Sequence, residues 1–199
     1  MENNWLKIEQ EGDKVILREC SQEATGKIVI PEGVTCIDPF AFDRCIGLTS
    51  IEIPNSVISI GDGAFDDCTN LKSITIAPNN RIYDSRNNCN AIIETATNTL
   101  IRGCEETVIP DDITIIEQGA FSGCVGLSSI TLPSCLKSIK ACAFGGCVGL
   151  KYVEIPSGVT FVDYDAFCAC KNLNVVRLPE SIYLEHGHFG DCPGLIDYY

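Results

Sequence analysis

The chain has 199 residues, of which 45% are hydrophobic and 21% are charged, a balance that predicts a folded protein. The formal net charge of −13 argues against the basic surface that binding to nucleic acid or anionic lipid requires, so we expect no nucleic-acid partner. No apolar run approaches the ~20 residues of a membrane-spanning helix, so we expect no membrane insertion.

The N-terminal segment, residues 1–29, is predicted to form a β-hairpin that caps the rest of the chain. Leu6–Glu9 alternates apolar and polar residues, Val15–Arg18 is an apolar run that ends in an arginine, and a polar connection joins the two. Residues 1–13 carry five charged side chains and no apolar h-region, which predicts that no signal peptide is present. The localisation therefore stays unknown.

From residue 30 onward the chain repeats one unit. Its period is 23 residues, shortened by one in the last unit, and it reads approximately I-P-x-x-V-x-x-I-x-x-x-A-F-x-x-C-x-[GN]-L-x-x-I-x. The six copies open at Ile30-Pro31, Ile53-Pro54, Ile109-Pro110, Leu132-Pro133, Ile155-Pro156 and Leu178-Pro179. A fixed period of this length is the signature of a solenoid, in which neighbouring repeats bury a core that no single repeat could bury.

Each position of the repeat forms a column, and the columns predict the core. The phenylalanine column holds Phe42, Phe65, Phe121, Phe144, Phe167 and Phe189. An alanine precedes it in five copies, and a leucine column follows it at Leu48, Leu71, Leu127, Leu150, Leu173 and Leu195. Stacked repeats place identical side chains above one another, so we expect each column to become a buried ladder.

Two local structures are expected within each unit. The A-F-x-x-C segment leaves room for a short helical turn, which a left-handed residue should end at Gly47, Asn70, Gly126, Gly149, Asn172 and Gly194. The following Leu-x-x-Ile-x-Ile alternates and is β-branched, so it predicts a short strand. A second short strand is expected at 34–37 and its equivalents.

Residues 76–108 form a unit that is ten residues longer than the period. Residues 91–94 and 99–102 flank Thr95–Asn98, which predicts a second β-hairpin. Two interpretations stay open: the insertion is a functional loop, as insertions in solenoids often are, or only a variant repeat.

The residues together predict an α/β repeat solenoid, a right-handed superhelix of short strands and short helical turns with two hairpin-bearing variants. We divide residues 1–199 into the 1–29 cap, two repeats at 30–75, the longer repeat at 76–108 and four repeats at 109–199. The chain stops at the end of a strand, and the last unit is altered by His188 and Pro193. An open end predicts self-association at the C-terminal end.

The combination of Ile-Pro, Ala-Phe-x-x-Cys and the following leucine resembles the BspA-like leucine-rich repeat family. Six columns agree across six units, and the resemblance covers residues 30–199. Members of that family are mostly cell-surface or secreted proteins linked to adhesion and to binding of host proteins. The resemblance implies a non-catalytic leucine-rich-repeat module of the same kind here.

Thirteen cysteines would suggest disulfides in a secreted chain, but six of them occupy one column of the repeat. We expect buried thiols there, because parallel in-register side chains do not point at one another. Neither the spacing of Cys168 and Cys170 nor the pair His186 and His188 completes a metal site, so no metal and no cofactor are expected.

The outward columns of the predicted strands are the candidate binding surface. The candidate residues are Glu52, Thr75, Thr131, Tyr152, Glu154, Arg177 and Tyr199. Aromatic and arginine side chains are the usual energetic anchors of interfaces. No catalytic constellation is present, so the sequence predicts a protein-binding or glycan-binding module of the cell surface; the alternative is an intracellular scaffold, which the thiols and the missing signal peptide favour.

Overall fold

The computed structural model describes residues 5–182 and 192–199 of the chain. In these ranges sixteen short strands follow one another. They are β1 (Leu6–Glu11), β2 (Lys14–Cys20), β3 (Gly26–Val29), β4 (Cys36–Ile37), β5 (Leu48–Ile53), β6 (Ser59–Ile60), β7 (Ser73–Ile76), β8 (Tyr83–Asp84), β9 (Ile92–Glu94), β10 (Thr99–Arg102), β11 (Ile115–Ile116), β12 (Ser138–Ile139), β13 (Tyr152–Glu154), β14 (Phe161–Val162), β15 (Val175–Leu178) and β16 (Leu195–Tyr198).

The strands stack into a solenoid whose coils, each one complete turn of the chain, are 23 residues apart. Parallel pairing joins Ile37 to Ile60 and Ile116 to Ile139, which are equivalent residues of successive repeats. The Leu-x-x-Ile-x-Ile segments form what we call the long-strand ladder, made of the sheets β3-β5-β7 and β13-β15-β16. The shorter strands form a second ladder on another side of each coil, with β2-β4-β6 and β10-β11-β12-β14 as its parallel parts.

Both predicted hairpins are confirmed. Strands β1 and β2 pair antiparallel around a turn at Gly12, and β9 and β10 pair antiparallel in the longer unit. The second strand of each hairpin then pairs in parallel with the next coil, β2 with β4 and β10 with β11. Each hairpin therefore attaches to the short-strand ladder through its second strand.

Within the described residues the predicted columns form the core, and Phe189 of the phenylalanine column lies outside those residues. The phenylalanine rings stack in two separate runs: Phe42 on Phe65 at 5.0 Å, and Phe121, Phe144 and Phe167 at 5.0 and 4.9 Å between centroids. The buried apolar side chains likewise divide into two clusters, which overlap only within residues 89–104. The longer unit therefore separates two stacks that share one architecture.

The predicted helical turn, and with it the α/β class, is wrong: the structure is a β-solenoid. The described residues contain no α-helix, and one short 3-10 turn lies at Arg86–Asn88 in the longer unit. In the A-F-x-x-C segment alternate N–H groups point in different directions. Ala41, Asp43 and Cys45 donate to carbonyls three residues back, whereas Phe40, Phe42 and Arg44 donate to Asp62, Ala64 and Asp66 of the next coil. In a helix, all of these N–H groups would donate to carbonyls of their own coil.

The glycine and asparagine column also differs from its prediction, because its residues are not left-handed. The left-handed residues lie three positions earlier, for example Arg44 with φ 55° and Gly146 with φ 69°. Glycine is required by close approach instead: a Cβ on Gly149 would lie 2.6 Å from the carbonyl oxygen of Val125. Where asparagine stands, its side-chain amide donates to the preceding coil, as Asn172 does to Val148 at 2.7 Å.

The cysteine column connects neighbouring coils through thiol hydrogen bonds. The Cys68, Cys147 and Cys170 thiols each donate to the carbonyl of a phenylalanine in the preceding coil, at 3.1, 3.2 and 3.0 Å. Each thiol therefore gives a hydrogen bond to the backbone carbonyl of a residue whose ring belongs to the stacked phenylalanine column. Cysteine suits the site because it is a small apolar side chain with one weak donor.

Candidate functional site

Six of the seven candidate residues lie in or directly after strands of the long-strand ladder, which divides the candidates into two groups, whereas Thr131 lies in no strand. Glu52 and Thr75 lie side by side on β5 and β7, in the N-terminal sheet. The C-terminal group holds Thr131, Tyr152, Glu154, Arg177 and Tyr199, and four of these lie in or directly after β13, β15 and β16. The alternation of the strands explains the outward position, because buried and less buried side chains alternate along β13, β15 and the last four residues of β5.

In the N-terminal group, Glu52 forms an ion pair with Lys27 at 2.6 Å. Val29 is the register partner of Glu52 in β3, and its side chain is 52% exposed. Beside these residues lies an open groove of about 390 Å³, which Glu52, Thr75 and Pro78 help to line. Because the ion pair is solvent-exposed, it contributes little stability and leaves both charges available to a partner.

In the C-terminal group, Tyr152, Glu154 and Arg177 form one polar network. The Tyr152 hydroxyl donates to a Glu154 carboxylate oxygen at 2.7 Å. That hydrogen bond raises the pKa of the Tyr152 phenol above its usual value. Arg177 lies between two carboxylates, 3.5 Å from Glu154 and 3.7 Å from Asp197, because these three residues are register partners on adjacent strands.

Tyr199 completes this network at the edge of the sheet. Its ring lies under the Arg177 guanidinium, 4.6 Å from Arg177 Cζ to the ring centroid. Its hydroxyl donates to the Ile155 carbonyl at 2.9 Å, which fixes the ring across the ends of the strands. The ring is still 41% exposed, so it presents one apolar surface to solvent. A tyrosine held in this way has little conformational freedom left to lose when a partner binds.

A groove of about 470 Å³ runs beside the network. Thr131, Tyr152, Glu154 and Tyr199 line it, together with the half-buried Ile130. The groove thus combines two tyrosine rings, hydroxyl groups and a carboxylate. Such a set offers apolar contact and hydrogen bonding.

The described residues hold no group of three or more His, Cys, Asp or Glu side chains placed to bind a metal ion. His186 and His188, considered above as metal ligands, lie outside the described residues. Within residues 5–182 and 192–199, no helix has the length and apolar character needed to cross a membrane.

The repeat pattern decides the family. A family model described as the BspA type leucine rich repeat region, which has six copies of the repeat, matches residues 18–103 and 101–198. The chain belongs to this family. No curated protein matches the chain.

Solved structures of bacterial leucine-rich repeat proteins share the fold of this BspA-type chain. A leucine-rich repeat protein from Eubacterium ventriosum has a TM-score of 0.74 at 22% identity, over 90% of this chain and 56% of that one. A leucine rich cell surface protein from Faecalibacterium prausnitzii has a TM-score of 0.59 at 26% identity, over 89% of this chain and 60% of that one. The chain thus spans somewhat more than half the length of these two relatives.

One residue of the BspA-type face, Lys27, escaped the sequence prediction. It pairs with Glu52, as Asp197, an outward position of the predicted strands, pairs with Arg177. Gly26 to Pro31 read as a divergent copy of the strand segment that ends in Ile-Pro, so the position of Lys27 could have been found from the repeat. The contact between Arg177 and the Tyr199 ring had no such signal, because it depends on side-chain directions across two strands.

Proposed function

We propose that this BspA-type chain is a non-catalytic recognition module that binds a protein or a glycan through its long-strand ladder. One observation carries the proposal: Tyr152, Glu154, Arg177 and Tyr199 form a connected, exposed network beside an open groove. Tyrosine and arginine are the residues in which interfaces concentrate their binding free energy. Held by hydrogen bonds and ion pairs, these side chains are already ordered before a partner arrives.

The chemistry of the groove favours a neutral or weakly charged surface as its ligand. The network presents one arginine between two carboxylates, and the whole chain carries a net charge of −13. A polyanion would be repelled, whereas hydroxyl groups of a glycan or the polar groups of a protein would find both donors and acceptors.

Adhesion at a cell surface is the proposed setting. It is supported by the family and by the Faecalibacterium prausnitzii relative, which is described as a cell surface protein. The alternative is an intracellular scaffold, supported by column thiols such as Cys68 and Cys147 that donate hydrogen bonds and must stay reduced to do so. Fractionation of the native organism, followed by detection of the chain in each fraction, separates the two settings.

The test of the binding surface is a screen of the purified chain on glycan and protein arrays, repeated with substituted chains. Tyr152→Ala and Arg177→Ala should each reduce binding of an array ligand at least tenfold, as hot-spot substitutions do. Tyr164→Ala removes an exposed tyrosine just after β14 of the short-strand ladder, so it is the matched control and should leave that binding unchanged. Absence of any array ligand, or a ligand whose binding none of these substitutions affects, would contradict the proposal.

Self-association at the C-terminal end stays a prediction, as does the division of the chain into cap and repeats. Strand β16 is the edge of its sheet, and Tyr198 in it is 50% exposed. An edge strand offers unpaired backbone groups to a second copy. Light scattering over a range of protein concentrations tests this, and a monomer at the highest concentration would exclude it.

A further inference from the structure

A cavity of about 160 Å³ lies where the two stacks meet. On one side is the turn that contains Gly63 and Phe65, and on the other is the turn that contains Gly119. The coil between them belongs to the longer, hairpin-bearing unit, which has no Ala-Phe turn of its own. The cavity therefore takes the place of one missing segment in the stack.

Hydrogen-bond donors are left over on the first wall. In neighbouring coils the N–H groups of Phe42, Phe121 and Phe144 donate to an alanine carbonyl of the next coil, at 2.7, 2.7 and 2.8 Å. The equivalent N–H of Phe65, and that of Gly63, have no partner among the described residues. Both residues line the cavity. Unpaired donors of this kind are rare in native structures.

Acceptors, by contrast, are already occupied on the second wall. Arg102 Nη1 donates to Gly119 O at 3.0 Å and Nη2 donates to Ser122 O at 3.1 Å. The neighbouring Gly103 N–H donates to Ala120 O at 2.8 Å. Arg102 Nη2 and the Gly103 N–H thus supply two of the hydrogen bonds that the missing turn would have made, to Ser122 O and Ala120 O.

Arg102 itself adds a third unpaired donor and a positive charge. Its side chain lines the cavity, the residue is only 3% exposed, and its Nε is buried without a hydrogen-bond partner. None of the ion pairs within the described residues involves Arg102. Asp66, which also lines the cavity, attracts Arg102 electrostatically but forms no ion pair with it, so the buried charge is only partly compensated. A group that accepts hydrogen bonds and carries one negative charge would complete the compensation.

We propose that this cavity binds a small carboxylate, with the N–H groups of Gly63 and Phe65 as its donors and the Arg102 guanidinium as the positive charge beside it. The volume suits a ligand of a few heavy atoms, and arginine with backbone N–H groups is a usual partner of carboxylate oxygens. A single negative charge is favoured over a sulfate or phosphate dianion, because Asp62, Asp66 and Glu117 also line the cavity and repel a second charge.

Nuclear magnetic resonance of the 15N-labelled chain tests this directly. Sodium acetate is titrated against sodium chloride at equal ionic strength, and the signals of Arg102 Nε–H, Gly63 N–H and Phe65 N–H are followed. We expect saturable shifts of all three with acetate and no comparable shifts with chloride. Equal responses to acetate and chloride would overturn the proposal, and tighter binding of sulfate or phosphate than of acetate would overturn the carboxylate assignment.

Substitutions at exposed positions around the mouth keep the test independent of folding. Gln118 is exposed and lines the cavity, so Gln118→Glu should weaken acetate binding about two- to threefold by like-charge repulsion. Asp62→Asn should strengthen binding by a similar factor, since Asp62 is also exposed at the cavity. Gln22→Glu makes the same change of net charge at an exposed site outside the cavity lining and is the control. Equal weakening by Gln118→Glu and Gln22→Glu would show that the acetate does not bind here.

Discussion

The stacked phenylalanine column predicts that position within the stack decides what a core substitution costs. Phe144 stacks on two rings, Phe121 at 5.0 Å and Phe167 at 4.9 Å, whereas Phe65 stacks on one ring, Phe42, among the described residues. Both are buried, at 0% and 3% exposure. Each stacked pair contributes about 0.5–1.5 kcal/mol beyond its buried area. Phe144→Leu should therefore lose about 1–3 kcal/mol of stacking, twice the loss in Phe65→Leu.

The free energy of unfolding is measured by urea denaturation, followed by far-ultraviolet circular dichroism, with equal m values required of all proteins compared. Leucine keeps most of the buried apolar area, so the difference between the two variants reports the stacking. Phe161→Leu is the control, because its ring is 48% exposed and should tolerate the change within about 0.5 kcal/mol. If Phe65→Leu and Phe144→Leu lose the same free energy, stacking does not stabilise the column and the reasoning is refuted.

Three further predictions concern the columns beside the rings. Gly149→Ala should lower the free energy of unfolding, measured by urea denaturation, by about 1–3 kcal/mol, because the new Cβ would clash with backbone atoms. Gly126→Ala should lower it less, because there the new Cβ would clash with the end of a glutamate side chain, which can move. Burial raises the pKa of Cys170 to about 12, so as the pH rises this thiol ionises in the unfolded chain before it ionises in the folded chain. Its contribution to the free energy of unfolding should therefore be complete below about pH 9 and be lost between about pH 9 and 12. The free energy of unfolding of Cys170→Ala should fall less steeply over that range. The sulfur atoms of Cys142 and Cys168 lie 3.7 Å apart on adjacent coils, so mild oxidation with diamide should join this pair first; a peptide map with a different first pair would contradict the geometry.

The sequence was sufficient for the core because each core position is repeated at one period. The phenylalanine of Phe144 and the leucine of Leu150 recur at the same place in all six copies of the 23-residue repeat, and both of these residues are completely buried. The hairpins were predictable for a local reason: two short β-prone runs on either side of a polar turn, as in β1 and β2, specify pairing between neighbours in sequence.

The turns were mispredicted because their hydrogen bonds are made between coils. Within one unit, the segment around Phe42 has the length of a helical turn, and nothing local shows that its N–H will donate to Ala64 of the next coil. The Gly149 position failed in the same way, since the contact with Val125 that requires glycine comes from another repeat. That Glu154 and Arg177 lie side by side could be predicted, because they occupy the same position in successive repeats. That Glu52 lies in a different sheet could not, because the sequence does not show where the long-strand ladder is interrupted.

The hydrogen bonds between coils have a mechanical consequence. They run along the axis of the stack, as from Phe121 N–H to the Ala143 carbonyl, while the chain itself runs across that axis. A force that pulls the ends apart along the axis therefore loads the bonds of the outermost coil first and peels it away before the next coil is strained. Each coil of 23 residues would release about 75 Å of extended chain, so a tethered chain would lengthen in steps under load.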